Sequence, residues 1–417
     1  MTELLRGAIF HTAAGKLEAH WDGALLIRDG RIAYCGEYKP FPEAKSTDLR
    51  GGFLLPGLVD AHIHFPQLRI IGEFGRSLLD WLQEFALPEE ARMADLAHAR
   101  KIAEKFVNQL ILHGTTTALV FGAHFAPATA ALLESSRKLR IFSGLVLSDR
   151  GMRSDLLQTP ENAYRASKEL IARFPNYAVT PRFALSCSEA MLEMCQTLVR
   201  EHPQVLVQTH LNEHPREVEE VARLFPWSRD YFSVYEKFGL ARRAVMAHSV
   251  HSSEAELERM AAAGVAVAHC PASNAALGSG IFPLARHERA RVRIALGTDV
   301  GAGTGFGVLK EALQAYLMQR VAREPMALDP GRLLYLATLA GAEALGVENE
   351  TGSLEEGKSA DIIYVRAPEG SALAAVLERA ESAEQALSAL IALAGVESVR
   401  EVRVGGAVVS GGLGFFG

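Results

Sequence analysis

Short apolar runs rich in β-branched residues alternate with longer amphipathic stretches between about residues 56 and 350. The runs that predict strands lie at residues 58–64, 115–121, 141–148, 177–184, 205–211, 244–249, 265–270 and 292–298. Residues 89–112 place Ala99, Ile102 and Phe106 on one face at helical spacing, which predicts a helix. Eight strands that alternate with helices predict an α/β fold, a (β/α)8 TIM barrel. A doubly wound open sheet is the alternative, but its glycine-rich dinucleotide fingerprint is absent after the first strand.

Both ends of the chain have the pattern of short strands joined by turns. Residues 24–28 and 31–35 are apolar runs around Asp29-Gly30, a dipeptide that strongly indicates a tight hairpin. Residues 360–365 and 399–406 have the same character, and the Ala/Leu-rich stretch 371–393 predicts one or two surface helices. We therefore expect the termini to meet in one small β-sandwich domain, built from residues 1–55 plus 352–417, beside a barrel domain of residues 56–351.

The composition is that of a globular chain with a sizeable core, with 49% apolar and 22% charged residues. Its 43 basic and 49 acidic residues give a net charge of −6, and no block dense in lysine or arginine is present. The sequence therefore predicts neither nucleic-acid binding nor binding to an anionic membrane by counterion release.

Signals for export and for membrane insertion are also missing from the sequence. The first residues lack a basic segment followed by an apolar one, and the most apolar later stretch, 386–396, is about half of a bilayer span. The four cysteines form no CxxC pair. These features predict a cytoplasmic protein without a disulfide framework.

Residues that can bind metals recur at the ends of the predicted strands. The first strand ends in His62 and His64, whose side chains point to the same face because they are two residues apart. The fifth strand ends with His210, the sixth with His248 and the eighth with Asp299. In a closed barrel these strand ends meet at one mouth, where barrel enzymes place their active sites. Three imidazoles and one carboxylate suit a catalytic Zn²⁺ or Fe²⁺ with a position left open for water.

One motif matches a nucleotide-binding loop in its letters but not in its context. Residues 352–359 fit GxxxxGK[ST], which requires a strand before it and a helix after it. Here the residues that follow, 360–365, predict a strand, and Glu355 and Glu356 would bring negative charge to the phosphates. An ATP-dependent enzyme is therefore a poor alternative.

Two segments carry a resemblance to a known family. Residues 56–64, Pro-Gly-Leu-Val-Asp-Ala-His-Ile-His, resemble the first-strand motif of the amidohydrolase superfamily, and residues 352–361 resemble its entry into the C-terminal β domain. Within that superfamily the chain is most similar to the guanine deaminases. The segments that carry this similarity are 62–67, 78–82, 114–121, 180–184, 210–213, 270–274, 277–280 and 297–301.

The resemblance implies one metal ion, Zn²⁺ or Fe²⁺, held by His62, His64, His210 and Asp299. Relatives with two metals bridge them with a modified lysine at the end of strand four, and residues 177–186 contain no lysine. His248 is expected to contact the hydroxide or the substrate, either as a weak ligand or as a donor that orients it. These two roles stay open.

The resemblance further implies hydrolytic deamination of guanine to xanthine and ammonia by a metal-activated hydroxide. Glu213, three residues beyond His210, is expected to protonate the ring nitrogen beside the attacked carbon. Asp299 would receive the proton of the water and pass it toward the leaving ammonia. Glu213, Asp299 and His248 are thus the predicted catalytic residues.

Substrate contacts are predicted for a second group of residues. Gln67 and Arg182 can donate hydrogen bonds to a carbonyl oxygen and to ring nitrogens, which would distinguish guanine from adenine. Phe183 and Trp81 offer an apolar or stacking surface. Together with His210, Glu213 and His248, they form the predicted substrate site.

Two alternative functions are compatible with the same sequence features. A related aminohydrolase could act on a pterin, on 8-oxoguanine or on a triazine. A non-catalytic binding module that kept the barrel is the alternative from a different class, and the intact ligand set with Glu213 argues against it. The predicted partner is a small purine substrate, and the resemblance implies a homodimer.

Overall fold

Strands and helices alternate along residues 2–136 and 139–411, which the computed structural model describes. The strands are β1 Thr2–Ala13, β2 Lys16–Arg28, β3 Arg31–Glu37, β4 Lys45–Pro56, β5 Leu58–His64, β6 Thr115–Phe121, β7 Arg140–Gly144, β8 Val146–Leu147, β9 Ala178–Pro181, β10 Leu206–Leu211, β11 Ala244–His248, β12 Ala266–His269, β13 Arg293–Leu296, β14 Ile362–Val365, β15 Val399–Val404 and β16 Ala407–Gly411.

The helices fill the intervals between the strands. They are α1 Leu78–Trp81, α2 Leu87–Ala91, α3 Leu96–Leu112, α4 Ala126–Ser135, α5 Pro160–Arg173, α6 Glu189–Glu201, α7 Pro215–Leu224, α8 Tyr231–Lys237, α9 Glu254–Ala263, α10 Pro271–Ala276, α11 Leu284–Arg289, α12 Val308–Val321, α13 Pro330–Ala337, α14 Leu339–Leu345, α15 Ala372–Glu378 and α16 Ala383–Leu393. Within the described ranges, none of them has both the length and the apolar character that crossing a bilayer requires.

The strands β5 to β13 form the predicted TIM barrel. β5, β6 and β7 pair in that order, β8 to β13 pair in theirs, and a bridge between Ser143 and Tyr177 links the two groups. All of these pairings are parallel. The first strand meets the chain beyond the last one, because the Asp299 backbone N–H donates to the His62 carbonyl at 2.9 Å. The ligand-bearing strands therefore end at one mouth, as the sequence predicts.

The third predicted strand, residues 141–148, is divided into β7 and β8. The break follows Gly144, where a Cβ atom would lie 1.7 Å from the carbonyl oxygen of Ala178. The chain passes too close to β9 there for any side chain, so the ladder is interrupted. The other predicted strands each contain an observed one.

The two ends of the chain meet in one seven-stranded sheet, with the order β16-β15-β14-β4-β1-β2-β3. The predicted hairpin is present, with Arg28 opposite Arg31 and with positive φ at Asp29 and Gly30. The strands predicted to form a sandwich are all hydrogen-bonded in this one sheet. The pairing of β1 with β2 and with β4 shifts its register near Gly7. The domain limits stay predictions, and Met1 and residues 412–417 lie outside the described residues.

The prediction of one continuous helix over residues 89–112 is wrong, because the structure divides this segment into the end of α2, a turn and α3. α2 ends at Ala91, and a short 3₁₀ turn leads to Asp95, whose side chain accepts hydrogen bonds from the backbone N–H groups of Ala97 and His98. Asp95 is thus the N-cap of a new helix, α3, because its carboxylate satisfies amides that open the helix. Because of this break, α2, which carries Glu90, and α3 are two separate helices.

The segment that matches a nucleotide-binding loop has the predicted context. Residues 352–359 are followed by the strand β14, and the Lys358 Nζ donates to Ser353 Oγ at 2.7 Å and pairs with Glu355 at 2.8 Å. The lysine is held by its own loop. The next element after this loop is a strand and not the helix that a phosphate-binding loop requires.

Candidate metal centre and active-site cavity

Four side chains from three strand ends bring their donor atoms together at the barrel mouth. His62 and His64, on β5, have Nε2 atoms 3.3 Å apart, and His210 Nε2, on β10, lies 3.3 Å from that of His64. Asp299 Oδ1, after β13, lies 3.3 Å from His62 Nε2 and 3.4 Å from His64 Nε2. All four side chains are buried. The structure thus assembles the four predicted ligands.

This donor set fits a transition-metal ion. Donor atoms that bind one ion at about 2.0–2.2 Å lie roughly 3–3.5 Å from one another, which is the spacing found here. Burial, together with the neighbouring imidazoles, holds the pKa values of His64 and His210 well below the usual range, so both present neutral lone pairs. Neutral nitrogens that face each other at this distance can bind one cation together.

Neighbouring groups orient the ligands. The Nδ1–H of His210 donates to the Arg182 carbonyl at 2.6 Å, which leaves the Nε2 lone pair free for a metal. Ser273 Oγ donates to Asp299 Oδ2 at 2.5 Å, so the other oxygen of Asp299 faces the histidines. These hydrogen bonds hold His210 and Asp299 in the orientation that metal binding requires.

Glu213 is a buried carboxyl group at the end of β10. Burial raises its pKa well above the usual range, and the negative charges of Asp299 and Glu217 raise it further. Its backbone N–H donates to Glu217 Oε2 at 2.9 Å, and Ser279 Oγ donates to Glu213 Oε1 at 3.4 Å. A carboxyl group in this setting keeps its proton near neutral pH and can deliver it.

His248, at the end of β11, faces both carboxylates. Its Nδ1–H donates to Asn274 Oδ1 at 2.9 Å, so its Nε2 carries a lone pair. Nε2 lies 3.4 Å from Glu213 Oε2 and 3.9 Å from Asp299 Oδ2, and it has no hydrogen-bond partner among the described residues. With His62 and Asp299 it also forms a group whose donor atoms lie within 4.8 Å of one another.

Several residues at these strand ends have left-handed backbone conformations. The φ angles are 48° at Asn212, 76° at His248, 53° at Ser249 and 48° at Asp299. Such angles cost residues other than glycine of order 1–3 kcal/mol and occur mainly at functional sites. Here they turn the chain where a strand meets the cavity, and Asn212 is held by hydrogen bonds to Ser252 and Glu256.

A cavity lies against these residues. Gln67, Arg182 and Phe183, which the sequence predicts as substrate contacts, form part of its wall. Trp81 is buried in the apolar cluster with Phe183 but is not among the residues that line the cavity, so its predicted substrate contact stays a prediction. The lining residues are His64, Gln67, Leu78, Leu82, Arg182, Phe183, His210, Glu213, His248, Leu277, Asp299 and Ala302.

Two polar residues behind this wall are missing from the sequence-based prediction. Glu90 is buried beside Gln67 and Arg182, and His124 Nε2 lies 3.0 Å from Glu90 Oε2. One signal was available: a buried arginine such as Arg182 needs an anion to compensate its charge. The sequence does not show which of its 49 acidic residues supplies that anion.

The fold and the site together define a barrel hydrolase with a candidate metal centre at the barrel mouth. Residues 53–409 match the amidohydrolase family, and the chain belongs to that family.

Within this family, the chain is similar in sequence and in fold to guanine deaminases. The chain is 49% identical to the probable guanine deaminase of Deinococcus radiodurans, over 98% of each chain. Its fold superposes on the E. coli guanine deaminase with a TM-score of 0.92, at 34% identity and over 99% of both chains. The structure of guanine deaminase from C. acetobutylicum with guanine bound in the active site also superposes with a TM-score of 0.92, at 26% identity, over 98% of this chain and 100% of that one.

Proposed function

We propose that this protein hydrolyses guanine to xanthine and ammonia. The observation that carries the proposal is that the metal-donor set, the buried acid Glu213 and the hydrogen-bond donors of Gln67 and Arg182 all face one cavity. The guanine deaminases to which the chain is similar support the same substrate.

His62, His64, His210 and Asp299 are the residues that would hold one Zn²⁺, with Fe²⁺ as the other ion that suits this donor set. Such an ion, when bound, lowers the pKa of a coordinated water toward ~7 and so makes a nucleophile available at neutral pH. The remaining chemistry falls to the side chains of the cavity.

Glu213 supplies the proton that the ring requires. Attack of water at C2 of guanine places negative charge on the adjacent ring nitrogen, and transfer of the Glu213 proton to that nitrogen removes it. The raised pKa of Glu213 keeps the proton on its carboxyl group until the attack. The carboxylate that remains can then take up a proton again.

Asp299 and His248 handle the proton of the attacking water. Asp299 is held ionised by its histidine neighbours, so it can accept this proton and pass it to the departing amine. The bond between C2 and the exocyclic amino nitrogen then breaks, ammonia leaves, and the oxygen that water added to C2 becomes the second carbonyl oxygen of xanthine. His248 Nε2, which faces both carboxylates, orients the water or the substrate.

The wall of the cavity recognises the purine. Gln67 and Arg182 donate hydrogen bonds to acceptors on the ring, and Phe183 gives the ring an apolar face. His210 serves both as a metal ligand and as part of the lining. The net charge of −6 and the lack of a dense basic block support a protein without nucleic-acid or membrane partners. The four cysteines without a CxxC pair support a cytoplasmic location, and the family resemblance supports a homodimer.

Metal analysis coupled to an ultraviolet assay for xanthine tests the proposal. Protein purified without chelator should contain about one transition-metal ion per chain and should convert guanine to xanthine. A chelator should abolish turnover, and Zn²⁺ should restore it. Turnover of pterins, 8-oxoguanine or triazines in preference to guanine would contradict the substrate, and metal-free active protein would contradict the mechanism. Light scattering would test the homodimer.

A further inference from the structure

A buried carboxylate that the mechanism does not use lies behind the wall that recognises the purine. Glu90, in α2, is 2% exposed. Arg182 Nη1 donates to both of its oxygens at 2.8 Å, and Gln67 Nε2 donates to Oε1 at 2.7 Å. His124 Nε2 contacts Oε2 at 3.0 Å. One carboxylate therefore contacts both residues that we place against the substrate.

The contacts of Gln67 determine which end of its amide faces the cavity. A side-chain amide can present either a carbonyl acceptor or an NH₂ donor. The Glu90 carboxylate only accepts and takes one N–H of Gln67, while the backbone N–H of Gly301 only donates and binds Gln67 Oε1 at 3.0 Å. A reversed amide would set oxygen against oxygen and N–H against N–H. In this orientation the Gln67 nitrogen keeps a second N–H that it can donate to a ligand.

Arg182 adds donors to the same wall. A guanidinium has five N–H groups and no acceptor, and Nη1 is directed to Glu90. Because Glu90 is buried and Arg182 is also 2% exposed, this ion pair is shielded from water and holds a defined geometry. The groups left for the cavity from Gln67 and Arg182 are therefore donors.

We propose that Glu90 is a positioning residue that sets the hydrogen-bond polarity of this wall, so that the site selects a ring with a carbonyl oxygen at that edge over a ring with an amino group there. The inference rests on the proposed function, since it takes guanine as the substrate. A carbonyl oxygen can accept from Gln67 and Arg182. An amino group would face N–H against N–H and leave buried donors unpaired.

The substitution Glu90→Gln tests this with two substrates, guanine and 2,6-diaminopurine, which carries an amino group in place of the C6 carbonyl oxygen. Gln at position 90 can donate as well as accept, so only the contact with Gly301 still favours one orientation of the Gln67 amide. We expect the ratio of kcat/KM for guanine to that for 2,6-diaminopurine to fall about tenfold to hundredfold. Glu89→Gln is the matched control, because the neighbouring carboxylate faces Arg69 and Arg92, and it should keep the wild-type ratio.

A second variant covers the case in which Glu90→Gln does not fold. The exchange Gln67→Glu with Glu90→Gln keeps one carboxylate and one amide in the pair, and it places an acceptor where Gln67 offers a donor. Its ratio should shift further toward 2,6-diaminopurine. An unchanged ratio in a folded, metal-loaded variant would overturn this inference alone. A wild-type protein that does not turn over guanine would overturn the proposed function itself.

Discussion

Two buried carboxyl groups, Glu213 and Asp299, line the cavity, and their pKa values are shifted in opposite directions. Burial raises the pKa of Glu213, and the charges of Asp299 and Glu217 raise it further. Burial also favours the protonated form of Asp299, but its contacts with His62, His248 and His64 outweigh this and keep its pKa well below the usual range. Glu213 is thus the acid and Asp299 the ionised partner, a separation that environment alone produces.

The substitution Glu213→Gln should lower kcat for guanine by about 10²- to 10⁴-fold, because the amide has no proton to deliver to the ring nitrogen. The metal content should stay near the wild-type value, since Glu213 is not a ligand. Steady-state kinetics and metal analysis check both points. Glu219→Gln, at an exposed position on α7, is the control, and equal kcat for the two variants would remove Glu213 from the mechanism.

The substitution Arg182→Ala should affect binding and folding together. It removes donors from the substrate wall and leaves the Glu90 carboxylate buried without its guanidinium, which typically costs about 3–5 kcal/mol in the free energy of unfolding. Urea denaturation should show that Arg182→Ala with Glu90→Gln recovers part of this loss while guanine turnover stays low. Equal stability of Arg182→Ala and wild type would show that the pair contributes nothing to folding.

At the scale of elements, one buried carboxyl group forms hydrogen bonds that connect β5 to the segment after β13, where the barrel closes. Asp60, on β5, accepts from the backbone N–H of Thr298 at 3.1 Å, from Thr298 Oγ1 at 2.6 Å and from the backbone N–H of His62 at 3.2 Å. Thr298 immediately precedes Asp299. The group therefore sets the position of ligands from both ends of the barrel sequence.

The substitution Thr298→Val should destabilise the protein by about 1–3 kcal/mol, since it removes a donor from a buried carboxyl group. It should also weaken metal binding by displacing Asp299. Thr117→Val, on β6, is a matched control because Thr117 is equally buried and its Oγ1 has no hydrogen-bond partner within the described ranges. Chemical denaturation and metal titration of the two variants would separate them; the same loss in both would refute this role of Asp60.

The ligand set could be predicted because strand ends follow directly from apolar runs, and parallel strands bring their C-terminal ends to one mouth. Glu90 could not be predicted in the same way. It lies 92 positions from Arg182, and its burial depends on that tertiary contact rather than on any local pattern. The break before α3 has a local signal, the capping residue Asp95, which the helical periodicity obscured. The division of the third strand depends on how closely Gly144 approaches β9.

At the scale of the whole molecule, buried histidines couple folding to pH. Burial lowers the pKa of His269 to about 3 and that of His287 to about 4. Each is neutral in the folded protein, while the unfolded chain takes up a proton near pH 6.5. Stability is therefore lost as the pH falls below 6.5. Burial also raises the pKa values of Asp60 and Glu217 to about 6, and these groups act in the opposite sense.

The contribution of one histidine can be isolated with His269→Phe. His269 stacks on Phe282 with ring centroids 4.3 Å apart, and its nitrogens have no hydrogen-bond partner among the residues described, so an aromatic replacement suits the site. Between pH 6.5 and 4 the stability of wild type should fall more steeply than that of the variant, by about 1.4 kcal/mol per pH unit. Urea denaturation across this range measures the difference, and parallel curves would contradict it.

The hydrogen bonds between His62 and Asp299 and between His64 and Val300 close the barrel at the metal centre itself. During synthesis on the ribosome, the two histidines emerge more than two hundred residues before the aspartate that completes their set. A nascent chain therefore cannot retain the ion at full affinity until its last barrel strand has been released. In the proposed function, metal binding at the complete site therefore follows the synthesis of the last barrel strand.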